Sequence, residues 1–139
     1  MAVTLDIGDL TDIHPKNKQE VGRRLALWTL KHDYGKQLVG SGPIFKDSSI
    51  EERAIRLRFD HVGGGLVTRN GKAPSHFEIA GSDRVFHPAS ATIDVDTVVV
   101  SSEKVIEPQA VRYGFSSGAM PNLSNKEGLP ASSFRTDRW

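Results

Sequence analysis

The sequence predicts a mainly β protein: a β-sandwich of jelly-roll or immunoglobulin-like type, preceded by one amphipathic α-helix. Two patterns carry this expectation. Only residues 17 to 34 place apolar side chains at helical spacing. Beyond residue 43 the chain breaks into short alternating runs, with turn signals about every eight to twelve residues.

Taken in order, Val3, Leu5 and Ile7 alternate with polar neighbours, which predicts a short strand over 2–7. Residues 8–14 are polar and irregular. Asn17 is a good N-cap and Glu20 completes a capping-box pattern, so a helix should run from about Asn17 to Tyr34, with Gly35 ending it in the left-handed region. Val21, Leu25, Trp28 and His32 share one face, joined by Ala26, Leu27 and Leu30. An arc this broad should be buried on more than one side. Within this chain Leu25, Trp28 and Leu30 should be only partly covered. His32 reads as a packed or interface histidine.

Gly40-Ser41-Gly42-Pro43 marks the expected boundary between residues 1–40 and residues 41–139. After it, Ile55, Leu57 and Phe59 alternate with Arg56, Arg58 and Asp60, a half-buried strand. Gly63-Gly64-Gly65 makes a turn and Asn70-Gly71 is a hairpin signal. Strands are expected at 77–80, from Val85-Phe86, and over 89–95, where Asp94-Val95-Asp96 turns the chain into 97–101. The last clear strand should be 110–115, with Val111, Tyr113 and Phe115 on one face. The expected core is Ile55, Leu57, Phe59, Ile93, Val111 and Tyr113. Residues 116–139 read as a long ordered loop packed on the sandwich, or as partly disordered.

Composition narrows the function classes. The formal net charge is +1 with both signs interspersed, which points neither to nucleic acid nor to an anionic membrane. Lys16 to Lys18 and Arg23-Arg24 read as the solvated face of the helix. With no cysteine there is neither a disulfide nor a thiolate metal site. No apolar run approaches a membrane span, and the N-terminus does not read as a signal peptide.

The chemistry concentrates at Asp12-Ile13-His14-Pro15-Lys16-Asn17-Lys18-Gln19, directly before the helix. His14 is the candidate general base and Asp12 the candidate carboxylate that orients its ring. The plainer reading of His14 is a loop histidine that caps the helix, and Asp12 could equally tie down the loop. No Gly-x-Ser-x-Gly elbow or Gly-Asp-Ser motif occurs in the chain, so no nucleophile is identifiable. His61, His76 and His87 are scattered without His-x-His or His-x-x-x-His spacing, so neither a metal site nor a cofactor is expected. The triple glycine lacks the Gly-Lys-Ser/Thr of a phosphate loop.

Asp6-Ile7-Gly8-Asp9 together with the histidine run resembles the histidine block of the sialate O-acetylesterases, carbohydrate esterases of the SGNH hydrolase superfamily. The resemblance continues through Arg24-Leu25-Ala26-Leu27, Ser41-Gly42-Pro43 and Phe77-Glu78-Ile79-Ala80-Gly81. It reappears in Ala110-Val111-Arg112-Tyr113, Asn122-Leu123, Gly128-Leu129-Pro130-Ala131 and Phe134-Arg135-Thr136-Asp137. It implies the C-terminal part of such an esterase, in which residues 1–40 supply the last strand, histidine loop and helix of an α/β hydrolase domain. Residues 41–139 would then be an accessory sandwich. It further implies a Ser-His-Asp type mechanism with the serine block upstream, and as partners that upstream catalytic region and an O-acetylated sialic acid or other acetylated sugar. The parent would be exported, to periplasm, cell exterior or lysosome, and the isolated chain would be inactive. Many SGNH enzymes space the pair as Asp-x-x-His; Asp12 to His14 is one residue shorter, so the resemblance supports His14 more firmly than Asp12. Under it Arg112 could pair with a sialic acid carboxylate, although a structural ion pair is the favoured role. The alternative is a non-catalytic sandwich module that binds carbohydrate or supports a catalytic partner domain. Scarce aromatics weigh against carbohydrate binding.

Overall fold

The computed structural model describes residues 1–139. Helix α1 spans Lys18–His32 and is followed by ten strands. The Asn17 side chain accepts the Glu20 amide at 3.2 Å, as an N-cap should. Glu20 does not return the bond; its carboxylate takes Arg23 instead at 2.8 and 2.9 Å. Gly35 adopts φ +63°, past the end of the helix.

Two antiparallel four-stranded sheets form the sandwich. The first has the order β1-β2-β7-β6, built from Ile44–Glu51, Ala54–Asp60, Thr97–Ser101 and Ser90–Asp94 respectively. The second has the order β10-β8-β4-β5, built from Phe134–Arg135, Ala110–Tyr113, Phe77–Ala80 and His87–Pro88. A separate pair joins β3, Leu66–Thr68, to β9, Leu123–Asn125. Alternation decides which side chains meet between the sheets. Ile55, Leu57, Phe59, Ala91, Val98 and Val100 come from the first sheet, and Phe77, Ile79, Val111 and Tyr113 from the second. Ile93 is only partly buried at the margin. The outer face of the first sheet carries ion pairs: Arg56 with Glu51 and Asp94, both at 2.7 Å, and Arg58 with Asp47 at 2.9 Å.

Several expectations change. Residues 2–7 form no strand; with no neighbouring strand to pair with, the alternation of Val3, Leu5 and Ile7 is not enough. Asn70-Gly71 turns the chain without making a hairpin. β3, which leads into the turn, pairs with β9 instead. Strand β8 stops at Tyr113 because Gly114 takes φ +58°, and Phe115 is exposed. The tail is ordered and contributes two strands, and its Leu123, Leu129 and Ala131 are buried. Strand β1 was not anticipated because Lys46, Asp47, Ser48 and Ser49 show no apolar alternation. It is a mostly solvated edge strand with an irregular register between Phe45 and Asp47.

The helix is oriented differently from its apolar arc. Its one buried residue is Arg24, not a member of the Val21–Leu25–Trp28 face. Leu25 and Leu30 are exposed, and His32 is exposed too, its ring 4.0 Å from that of Trp28. Arg24 donates to Asp6 through two bonds at 2.6 and 2.8 Å, and to the Val3 carbonyl at 2.8 Å. Its Nε lies 3.3 Å from Glu20 Oε2. Arg24 therefore belongs to no solvated face. An ion pair, not an apolar stripe, fixes the N-terminal segment to the helix. Arg69 extends that node to the sandwich, 3.3 Å from Asp6 and donating to the Pro121 carbonyl.

The segment at 40–43 is buried, unlike a free linker. A side chain at Gly42 would put its Cβ 2.1 Å from the Pro130 carbonyl oxygen, so only glycine allows the tail to lie against it. Asn125 holds the same region: its amide donates to the Ser41 carbonyl at 3.1 Å and the His61 carbonyl at 3.3 Å, while its oxygen accepts the Leu129 amide at 2.9 Å.

Candidate functional site

The loop before α1 is shaped by short polar side chains bonding to their own backbone. Asp9 Oδ1 accepts both the amide and the hydroxyl of Thr11, at 2.9 and 2.7 Å. These bonds hold the Asp9 carboxyl below the usual carboxylate range. Asp12 Oδ1 accepts the His14 amide at 2.9 Å, closing a tight turn. The turn folds the imidazole back, so that Nδ1 of His14 lies 3.1 Å from the same oxygen. The structure thus brings the two sequence-predicted site residues together. One carboxylate oxygen of Asp12 both ties the loop and faces the ring.

This arrangement has defined chemical consequences. A carboxylate at Nδ1 favours the tautomer with its proton there, which leaves Nε2 as the basic nitrogen. Asp12 is the only hydrogen-bond partner of the His14 side chain. The ring is 78% exposed and the Asp12 side chain 44%. No serine of the chain bonds to this imidazole, and neither do oxyanion donors converge on it. An exposed pair of this kind contributes little to stability. Its geometry is supported by the buried Asp6–Arg24 bridge, which seats the segment leading into the loop. Sequence reasoning missed that role because Arg24 sits beside Arg23 and reads as one more surface charge.

The remaining candidates separate. No group of three or more His, Asp or Glu side chains is arranged to hold a metal ion. Arg112 makes a structural ion pair: Asp137 accepts two bonds from it, both at 3.0 Å, and also one from Arg135. The Arg112 guanidinium stacks 3.8 Å from the Phe86 ring centre and 4.9 Å from that of Phe115. Bonding to Arg112 holds the Asp137 carboxyl below its ordinary range. Trp139 is partly exposed, with the Arg84 guanidinium over its ring at 5.2 Å.

No protein-family model matches the sequence, and comparison with curated proteins finds no match. Among solved structures, the crystal structure of a novel carbohydrate acetylesterase from Xanthomonas citri superposes with a TM-score of 0.95. It is 50% identical over 99% of this chain. The chain spans only 32% of that esterase. The present chain is thus related, along nearly its whole length, to about a third of a carbohydrate acetylesterase.

Proposed function

We propose that this chain is the histidine-bearing part of a carbohydrate esterase that hydrolyses O-acetyl esters. The observation that carries the reading is the Asp12 carboxylate at Nδ1 of an exposed His14, in a chain half identical to part of a carbohydrate acetylesterase. His14 Nε2 takes the proton of a serine hydroxyl as that serine attacks the acetyl carbonyl. The imidazolium then returns the proton to the departing sugar oxygen, and water releases acetate by the same route in reverse. The serine and the oxyanion donors lie in the remainder of the longer protein, the counterpart of the two-thirds of the Xanthomonas esterase that this chain does not span. Asp12 orients the ring. The sugar is a sialic acid or related acetylated saccharide, on the resemblance of the histidine block.

Residues 1–40 belong, in this reading, to the hydrolase domain and residues 41–139 to an accessory sandwich. The clustered core supports the division, since none of its members precedes Ile55. The test is a chimera in which this chain replaces its counterpart in the Xanthomonas esterase. It should release acetate from p-nitrophenyl acetate and from O-acetylated sugars. His14→Ala should lower kcat by at least about a thousandfold. A chimera equally active with and without His14 would overturn the assignment.

A further inference from the structure

A cleft of about 400 Å³ lies between the N-terminal segment and the tail. Leu5, Leu10 and Met120 give it an apolar wall, while Asp9, Ser117 and Ser132 add polar groups. Exposed apolar side chains gather here. Leu10 is 66% exposed, Met1 and Met120 are exposed, and Ile13 beyond the rim is 91% exposed. Ile50, Val95 and Ile106 lie singly at turns or on an edge strand and call for no partner, while Leu25 and Leu30 are exposed on α1, away from the cleft lining. A concentration of apolar surface around a concave, partly polar cleft marks an interaction site.

We propose that this cleft seats an apolar segment from the serine-bearing remainder of the hydrolase domain, and that seating it completes the active site. The proposal rests on the reading of His14 as a base. Three observations select this occupant. Asp9 and Leu10, which line the cleft, belong to the same loop as Asp12 and His14, so a segment seated here stands beside the imidazole. The imidazole has no nucleophile within this chain, and a second copy would bring only another unpartnered histidine. The Xanthomonas esterase contains twice as much chain again, beyond the part matched here. Covering the patch would also dry the Asp12–His14 pair, which strengthens its electrostatics.

The absence of cysteine from the chain makes the test clean. Leu10→Cys, Met120→Cys and Val95→Cys are each made in the isolated chain and in the chimera, and N-ethylmaleimide labelling is followed by peptide mass spectrometry. In the isolated chain all three sites should label readily. In the chimera Leu10→Cys and Met120→Cys should slow by about tenfold or more, with Val95→Cys unchanged. The same substitutions at the matching positions of the intact Xanthomonas esterase supply the readout if the chimera folds poorly. Unchanged rates in the longer chain would overturn the proposal. So would slow labelling in the isolated chain together with a dimer on sedimentation, which would assign the cleft to a second copy. An active, His14-dependent chimera with an open cleft would remove this proposal and leave the esterase reading standing. A protected cleft in a chimera that hydrolyses without His14 would overturn both the His14 assignment and the completion of its site, leaving only a docking face.

Discussion

At the residue scale, Asp12 is where loop-building and the proposed orienting of the base meet. One oxygen accepts the His14 amide and faces the His14 ring, so a plain deletion cannot separate the two roles. Asp12→Ser can: a serine hydroxyl retains an acceptor for the turn but supplies no carboxylate. In the chimera, both Asp12→Asn and Asp12→Ser should lower kcat, by up to about 10⁴-fold for a full triad carboxylate, with KM little changed. Restoration of wild-type kcat by serine would reduce Asp12 to a loop residue. Asn125 is the structural counterpart. It is fully buried and serves three backbone groups from the 41–43 segment, His61 and the tail. Asn125→Ala should cost about 3 kcal/mol in urea unfolding, the range for stranding buried polar partners.

Asp137 makes a pH-dependent contribution. Its folded carboxyl is held below the ordinary value of 3.8, first by bonding to Arg112. The stabilisation is thus fully present above that ordinary value and is lost as pH falls through the lower folded one. Asp137→Asn should be less stable than wild type at neutral pH, and the gap should close on acid titration. A gap independent of pH would contradict this account.

At the element scale, legibility followed locality. Helix α1, β2, and the β6–β7 hairpin were readable because cap, alternation or turn lay within one short window. The hidden elements depend on distant partners. β3 exists because β9 reaches it from the other end of the chain, and β10 because it adds to β8. The helix shows a different limit. Periodicity located its residues correctly but not the face it turns inward, because one arginine bonded to Asp6 outweighed the apolar arc. Leu57→Ala should therefore cost about 2–5 kcal/mol in thermal or denaturant unfolding. Leu25→Ala, on an exposed face, should change stability by less than about 0.5 kcal/mol. Asp6→Ala should leave the sandwich folded while raising amide exchange across residues 18–32, since Arg24 loses its buried partner.

At the scale of the whole molecule, the sequence offered a candidate base and no candidate nucleophile. The setting before a capped helix that singled out His14 and Asp12 was visible in the sequence, as was the lack of a serine elbow motif. The node of Asp6, Arg24 and Arg69 that joins loop, helix and sandwich was not, because a buried ion-pair network leaves no periodic trace. On the proposed function, a chain matching one-third of an esterase supplies the base while the nucleophile comes from elsewhere. The most direct measurement is acetate release by the isolated chain from p-nitrophenyl acetate and an O-acetylated sugar, beside its His14→Ala variant. The account predicts no saturable turnover from either protein, only the slow background of free imidazoles. Saturable hydrolysis that disappears with His14→Ala would place the nucleophile inside these 139 residues and contradict it.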